Sequence, residues 1–529
     1  MSRASAQKNA AALATAILCA GVGALLLLAS RPGDPLAALG HPGWSSPLLV
    51  LVALVPAMLW LELAPQRVHA GVGALGALVL GFGTSALAAY GAAASILPAI
   101  IAQGYPEPDA WASAQMAAAL QASTASAATL LAWYAVRRGR RATGFFAFAW
   151  VAAEGLAPLG AERLSVALFE HPSYIALASI GGPSLVSLVC ALVNGALAEC
   201  LLLAVPPRRR PYLVLAAIAG VGGSLAIHQV RVEALSAVRA SAPDVRLLVV
   251  QPAPTEAPTL VEQTRAALDD VVGDPITAVV WPAVTYDEPI AWAELDLAPR
   301  LPAGVDEPFL VGTRMARDAP PEGPLAHALV LTDEARQRSA VYQTTVLAPF
   351  LDFAPLEEVL PDGARARIHD AGRRPGQRGA MFEIGRVPFG VMVGWDDFSG
   401  PDLRRQLSDQ DPEWLLSVVD DRAFADTPLP TYHEACAVFR AVEQGRYVLR
   451  AAAHGGSTLI DPVGARSGTM PLGEGGAEVF DVPRLHAATG YQVVGNFATL
   501  LCLLFAVSLV LLRPPRATGE AGDDAAAEG

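Results

Sequence analysis

His433 and Cys436 stand three residues apart at the head of YHEACAVFRAVEQGRYVLRAAAHGGSTLIDPVG, the stretch from Tyr432 to Gly464. On a helix that spacing puts both on one face, and an imidazole beside a thiol is the pairing that generates a thiolate nucleophile. Nothing in the flanking sequence marks an activating setting for Cys436, so the pair reads as structural. Asp396 and Asp397 are the next candidates, but neighbours on an extended chain point to opposite sides and make no dyad. His327 and His454 are lone histidines that read as structural or solvent-facing. Glu154 follows Trp150 inside the apolar run FFAFAWVAAEGLAPLG, where a carboxylate is costly and hence a functional candidate. Near the outer end of its run, it suits snorkelling or helix packing as well as a substrate role. The five cysteines, Cys19, Cys190, Cys200, Cys436 and Cys502, form neither a disulfide framework nor a Cys/His metal set, and no cofactor is expected.

The elements that must position these groups follow from periodicity. Ala435, Val438, Phe439 and Val442 recur at helical spacing and Gly445 stands where a helix stops. YVLRAAA then reads as a strand, Gly455-Gly456 as a turn and STLID as a second strand. Upstream, VRLLVVQ, a helix from Thr259 to Val272, AVVWP, FLVGT, HALVLT, SAVYQTTVL, VPFGVMVGWDD, a helix near Asp402 to Leu407, and WLLSVVDD alternate as an α/β domain does.

That domain is only part of the chain. With 53% hydrophobic and 16% charged residues over 529 positions, and a mean hydropathy of +0.39, the chain is too apolar to be soluble throughout and too interrupted to be all membrane. The first apolar run, from the basic N-terminus to Ser30, is long enough to cross a bilayer; a cleaved signal peptide is the alternative. Further spans are expected near Ser46 to Leu63, Gly71 to Ile101, Trp111 to Ala135, Thr143 to Leu159, Ser173 to Ala204, Tyr212 to Ile227 and Gln492 to Leu512, about eight in all. Arg3 and Lys8, Arg67, RRGRR from Arg137 to Arg141, Arg208 to Arg210, and Arg513 with Arg516 all fall on one side of a regular weave. By the positive-inside rule that side is cytoplasmic. The organisation is a bundle over 1–228, an extracytoplasmic domain over 229–490, a last span over 491–513 and an acidic disordered cytoplasmic tail over 514–529. A net charge of -13 argues against nucleic acid as a partner.

Particular residues add a resemblance. His433, Arg440, Ala441, Glu443, Gly445, Arg446, Ile460, Asp461 and Gly464 resemble the carbon-nitrogen hydrolase (nitrilase) superfamily, and within it the bacterial apolipoprotein N-acyltransferases. In these a His-led helix ends in R-A-x-E-x-G-R and an I-D-x-x-G strand follows. SGTMPLGEGGAEVFDVP, Ser467 to Pro483, is similar to the family's closing strands, and Trp150 with Glu154 to a pattern in its membrane half. The resemblance implies an α-β-β-α sandwich on an eight-span base in the bacterial inner membrane. It implies acyl transfer from a phospholipid to the N-terminal diacylglyceryl-cysteine of a lipoprotein, and so membrane phospholipid and lipoprotein N-termini as partners.

The chemistry so implied takes a glutamate as base, a lysine for the oxyanion and a cysteine that forms the thioester. The family-equivalent positions hold other residues: VVWPAV has Ala283 for the glutamate, VYQTTVLAPFLD has Thr344 for the lysine and GVMVGWDD has Gly394 for the cysteine. None can act as base, cation or thiolate, so the resemblance implies a member without a catalytic triad. The alternative is catalysis by relocated groups: Asp352, which matches the acid of the family's P-F-G-E, Asp396, His433 and Cys436. Ala423, Phe424 and Ala425 replace the family's W-F-G loop, which alters the contacts expected with an acyl chain. The three triad positions are expected to converge at neighbouring strand ends.

Overall fold

A computed structural model describes residues 3–512 apart from 42, 65–67, 158–162, 203–210, 253–258, 284, 286–288, 292–296, 317–324, 372–373, 377–380, 455 and 486. Arg67, Arg208 to Arg210, Gly455 and the chain from Arg513 onward, including the acidic tail, lie outside the described residues.

The first part of the chain is helical: α1 (Arg3–Ala29), α2 (Pro35–Ala38), α3 (Val55–Leu63), α4 (Ala70–Ala102), α5 (Glu107–Arg137), α6 (Ala142–Leu156), α7 (Pro172–Ile175), α8 (Ala178–Gly181), α9 (Pro183–Leu201) and α10 (Pro211–Arg239). By length and composition α1, α4, α9 and α10 are able to cross a membrane; Pro47–Leu63, Ala142–Leu156 and Phe497–Leu511 are shorter apolar helical stretches. Long as it is, α5 begins with Glu107 and Asp109 and is not among the four. A count of eight spans is therefore not confirmed. The described part of the run from Ser173 to Ala204, expected as one span, is divided into α7, α8 and α9; the break before α9 comes where Gly182 takes a φ of 72° and Pro183 cannot continue the helix before it. α10 continues unbroken through residue 228, where the sequence reading puts a domain boundary.

The second part is a sandwich. Its elements are β1 (Asp244–Gln251), α11 (Leu260–Asp269), β2 (Ala278–Trp281), β3 (Ile290–Ala291), β4 (Phe309–Ala316), β5 (Leu325–Thr332), β6 (Arg338–Gln343), α12 (Asp362–Ala371), β7 (Met381–Ile384), β8 (Val387–Val393), α13 (Gly400–Leu407), β9 (Trp414–Val419), α14 (Leu429–Gln444), β10 (Val448–Ala452), β11 (Thr458–Ile460), β12 (Arg466–Ser467) and β13 (Gly476–Pro483). α15 (Gly490–Val494) and the apolar α16 (Phe497–Leu511) follow. One sheet runs β13-β1-β2-β4-β5-β6 with β3 on β4, the other β12-β11-β10-β9-β8-β7.

Strand periodicity makes the layers, because alternate side chains leave opposite faces. Leu247, Val249 and Leu329 of the first sheet meet Val391, Val393, Leu416 and Leu449 of the second. On the first sheet's outer face Leu248, Val250 and Val279 pack against Leu260, Val261 and Leu268 of α11. On the second sheet's outer face Met392, Leu415 and Val448 share one core with Val438, Phe439 and Val442 of α14 and with Phe145, Trp150 and Cys190 of the bundle. α14 is thus the layer between sandwich and bundle, which is why thirteen of its sixteen residues are buried, charged ones included. It stops at Gly445, whose φ of +60° puts the chain in the left-handed region; a Cβ there would collide with the carbonyl of Ala487.

At one end of the bundle Arg138 donates to Val510 O at 3.0 Å and Arg140 to Leu512 O at 2.8 Å, while Arg141 pairs with Glu62 at 3.3 Å. The RRGRR loop, the end of α3 and the end of α16 therefore share that end.

Candidate functional site

Three strand ends carry the positions singled out above. Ala283 follows β2 and is 1% exposed; Thr344 follows β6 and is 5% exposed; Gly394 follows β8 in a buried 3-10 turn, Gly394–Phe398. His327 of β5 links two of them: its carbonyl accepts from the Thr344 N–H at 2.8 Å, and a Cβ on Gly394 would lie 3.4 Å from its Nδ1. Ala283 backs onto β4, where a Cβ on Gly312 would run into its Cα, and β4 pairs with β5.

Asp396 does what a fully satisfied carboxylate does. It accepts from Tyr342 Oη (2.9 Å), Val393 N (2.9 Å), Thr345 N (2.9 Å), Val346 N (3.0 Å) and the hydroxyls of Thr344 and Thr345 (3.2 Å each). Two carboxylate oxygens offer about four lone-pair sites, so none is left for a substrate proton. It ties the Thr344 loop to the Gly394 turn. Asp397, next along the same turn, goes elsewhere: its Oδ2 accepts from Ser417 at 2.7 Å and lies 3.4 Å from His433 Nε2. The chain here is a 3-10 turn, not the extended strand expected from sequence, yet the two acids still part.

His433 has both ring nitrogens committed. Nδ1 lies 3.0 Å from Asp421 Oδ1 and Nε2 lies 2.8 Å from the Gly394 carbonyl. Both partners only accept, so both nitrogens donate and the ring is an imidazolium. Burial opposes that charge, but Asp421 and Asp397 outweigh it and hold the pKa of His433 above its ordinary value. Burial would likewise lift Asp421, yet His433 and Arg450, the latter 2.8 Å away, hold it below the usual carboxylate range. For Asp397 burial wins and the pKa rises. Arg440 closes the cluster, donating to Asp397 O at 3.3 Å and to Glu443 Oε1 at 2.7 Å, with Glu443 pushed up to about 7 by burial against the pull of Arg440. Three cations thus face three carboxylates in a buried setting, where each charge needs its partner.

The remaining candidates have structural partners. Burial pushes the Cys436 thiol up to about 12, and the His433 nitrogens point to other groups, so no thiolate pair forms. Asp352 accepts from Ala348 N at 2.8 Å and closes its own turn. Glu154 accepts from Trp150 Nε1 at 3.0 Å and Leu164 N at 3.1 Å, joining α6 to the following loop. His454 packs beside Gly473, and Ala423, Phe424 and Ala425 form a turn against α4. Among the described residues no group of three His, Cys, Asp or Glu could hold a metal. Sequence reasoning missed Asp421 and Arg450, although an arginine within the apolar strand YVLRAAA signals a buried ion pair.

Between bundle and sandwich lies a cavity of about 540 Å³. Small residues leave the room for it: Ala89, Ala92 and Ala93 on α4 and Ala117 and Ala118 on α5 form one wall. Trp395 and Phe398, stacked at 4.3 Å, form another, and Arg31, Arg163, Arg440 and Glu443 supply charge. Trp395 is next to Gly394, and Val346, also in the wall, is two residues past Thr344.

Residues 35–196 match the family model described as the apolipoprotein N-acyltransferase N-terminal domain. An apolipoprotein N-acyltransferase of Rhodopseudomonas palustris is 26% identical over 250 residues, 45% of this chain and 46% of that protein. Over part of its length the chain is similar to the apolipoprotein N-acyltransferases. A second such relative, from Methylococcus capsulatus, is 30% identical over 164 residues, 30% of this chain and 31% of its own. The matched stretches thus span less than half the length of these N-acyltransferases. Among solved structures, an amidase from Nesterenkonia sp. is 17% identical with a TM-score of 0.32, covering 46% of this chain and 92% of its own. A variant of a Nesterenkonia amidase from the nitrilase superfamily is 18% identical with a TM-score of 0.31, covering 46% and 93%.

Proposed function

We propose that the protein is a non-catalytic relative of the apolipoprotein N-acyltransferases that holds a membrane phospholipid or a lipoprotein N-terminus between bundle and outer domain. The observation that carries this reading is the cavity of about 540 Å³, alanine-walled on the bundle side and charged at Arg31, Arg163 and Arg440. An acyl chain suits the first wall and a polar head the second. Transfer through a thioester needs base, cation and thiolate, and Ala283, Thr344 and Gly394 supply none. Loss of the nucleophile alone from such a unit costs about a million-fold in rate.

Relocated catalysis is the other reading. His433 with both nitrogens donating, Asp396 with its lone pairs filled, Asp352 bound in its own turn and Cys436 with a thiol near 12 all speak against it. In this reading of the protein the outer domain is periplasmic and both chain ends are cytoplasmic. Support comes from the RRGRR loop meeting the end of α16, since clustered arginines mark the cytoplasmic side.

The binding claim is tested with a photoactivatable phospholipid and a photoactivatable diacylated lipopeptide on the full chain in vesicles. Crosslinks are expected on α4, α5 and the Trp395 turn and are expected to weaken in Ala118→Trp, which narrows the cavity. Crosslinks unaffected by Ala118→Trp would overturn it.

A further inference from the structure

Past the C-terminal end of α14 lies a separate hollow of about 330 Å³, walled by Arg404 of α13, Asp411, Gln444, Arg446 and Gln492 of α15. Its charges do not cancel. Arg446 is matched by Asp411 at 2.8 Å and spends its other donors on the carbonyls of Pro412, Gln444, Gly445 and Ala487. Arg404 donates to Gln492 O at 2.9 Å and Val493 O at 2.7 Å, and among the described residues no carboxylate pairs with it. Gln444 is 1% exposed, yet its Nε2 has no hydrogen-bond partner. A guanidinium with no carboxylate partner, set on a hollow beside a buried amide, offers charge-assisted hydrogen bonds to an anion.

What lies beside it identifies the anion's carrier. Val493 and Val494 are 76% and 51% exposed, and past the turn at Gly495 Leu500, Leu501 and Leu504 of the apolar α16 are exposed as well. A polar hollow whose Arg404 holds the carbonyls of Gln492 and Val493, just ahead of the apolar α16, matches a phosphate set at the head of its acyl chains. We infer that this hollow holds the phosphodiester of a phospholipid whose chains lie along Val493, Val494 and α16. The site is separate from the large cavity and does not depend on what that cavity binds.

Native mass spectrometry of the full chain, released from detergent after incubation with phosphatidylcholine or phosphatidylglycerol, counts retained lipids. The wild type is expected to keep one more phospholipid than Arg404→Gln or Gln444→Glu, with either headgroup, and to keep no extra diacylglycerol, which lacks the phosphate. Titration should show each variant binding that lipid about tenfold more weakly, the worth of one charge-assisted hydrogen bond. Ala118→Trp, which narrows the other cavity, should leave this lipid in place. Arg404 also holds carbonyls of α15, so if Arg404→Gln does not fold, Gln444→Glu decides alone, since the Gln444 side chain makes none of those bonds. Equal lipid counts in wild type and Gln444→Glu would overturn the inference. So would displacement of the lipid by inorganic phosphate with equal retention of diacylglycerol, which would make the hollow a free-phosphate site.

Discussion

His433 Nε2 lies 2.8 Å from the carbonyl oxygen of Gly394, so the residue that heads α14 is a clamp on the turn where the family-equivalent cysteine would stand. A base must have a lone pair to offer, and this imidazolium has none. Removing either end of the His433–Asp421 pair breaks a buried ion pair and leaves Asp421 with Arg450 alone, or His433 with Asp397 alone. His433→Ala or Asp421→Ala should therefore cost about 3 to 5 kcal/mol of stability, read as a lowered unfolding midpoint of the purified protein. A change within the scatter of surface substitutions would contradict the clamp.

The same pair sets a pH dependence. His433 is raised above 6.5, so its contribution is complete below that value and is lost as pH rises through the folded-state pKa. Asp397, raised above 3.8, acts in the same direction, its burial cost growing as it ionises. Asp421 is lowered below 3.8, so its contribution is present above that value and is lost as pH falls through the folded-state pKa. Unfolding temperature should decline as pH rises above 6.5, and His433→Gln should flatten that decline. An unchanged slope in His433→Gln would assign it to other groups.

The Cys436 thiol, pushed up to about 12, should be inert to iodoacetamide at about pH 8 in the folded protein and react only after denaturation. Peptide mass spectrometry reads this directly. Rapid alkylation in the native state would reopen Cys436 as a nucleophile.

Much of this was legible in the sequence, and the exceptions have physical causes. Apolar spacing at Ala435, Val438, Phe439 and Val442 marked α14, because a helix buried between two layers must keep its apolar period. β7 was not marked: its hairpin to β8 turns on Gly385 and Arg386, both at positive φ, and arginine is no signal for such a turn. Gly182 with Pro183 broke an apolar run that hydropathy alone joins. The sequence marked the His433–Cys436 pair as structural but not what holds the His433 ring, because Asp421 and the Gly394 carbonyl lie 12 and 39 residues away in the chain. Arg450 was the available hint.

The proposed topology, with the outer domain periplasmic, rests on the arginine-rich end of the bundle. A cysteine introduced at the exposed Glu334, in the β5–β6 turn, should react with a membrane-impermeant maleimide added outside intact cells. Reaction only after lysis would invert the orientation.

Gly394 itself limits repair. At φ +60° an added side chain costs about 1 to 2 kcal/mol, and a Cβ would meet His327 at 3.4 Å. Ala283→Glu, Thr344→Lys and Gly394→Cys together should therefore yield at most a trace of acyl-enzyme, detected by mass shift on the new cysteine. Turnover rivalling that of an intact N-acyltransferase would show that the turn tolerates a nucleophile.

The central claim is catalytic silence with binding retained. Its most direct measurement incubates the unaltered protein in vesicles with phospholipid and a diacylated lipopeptide and follows acyl-enzyme and triacylated product by mass spectrometry. Neither species should rise above the protein-free control; triacylated product that disappears in Cys436→Ala or His433→Ala would contradict catalytic silence.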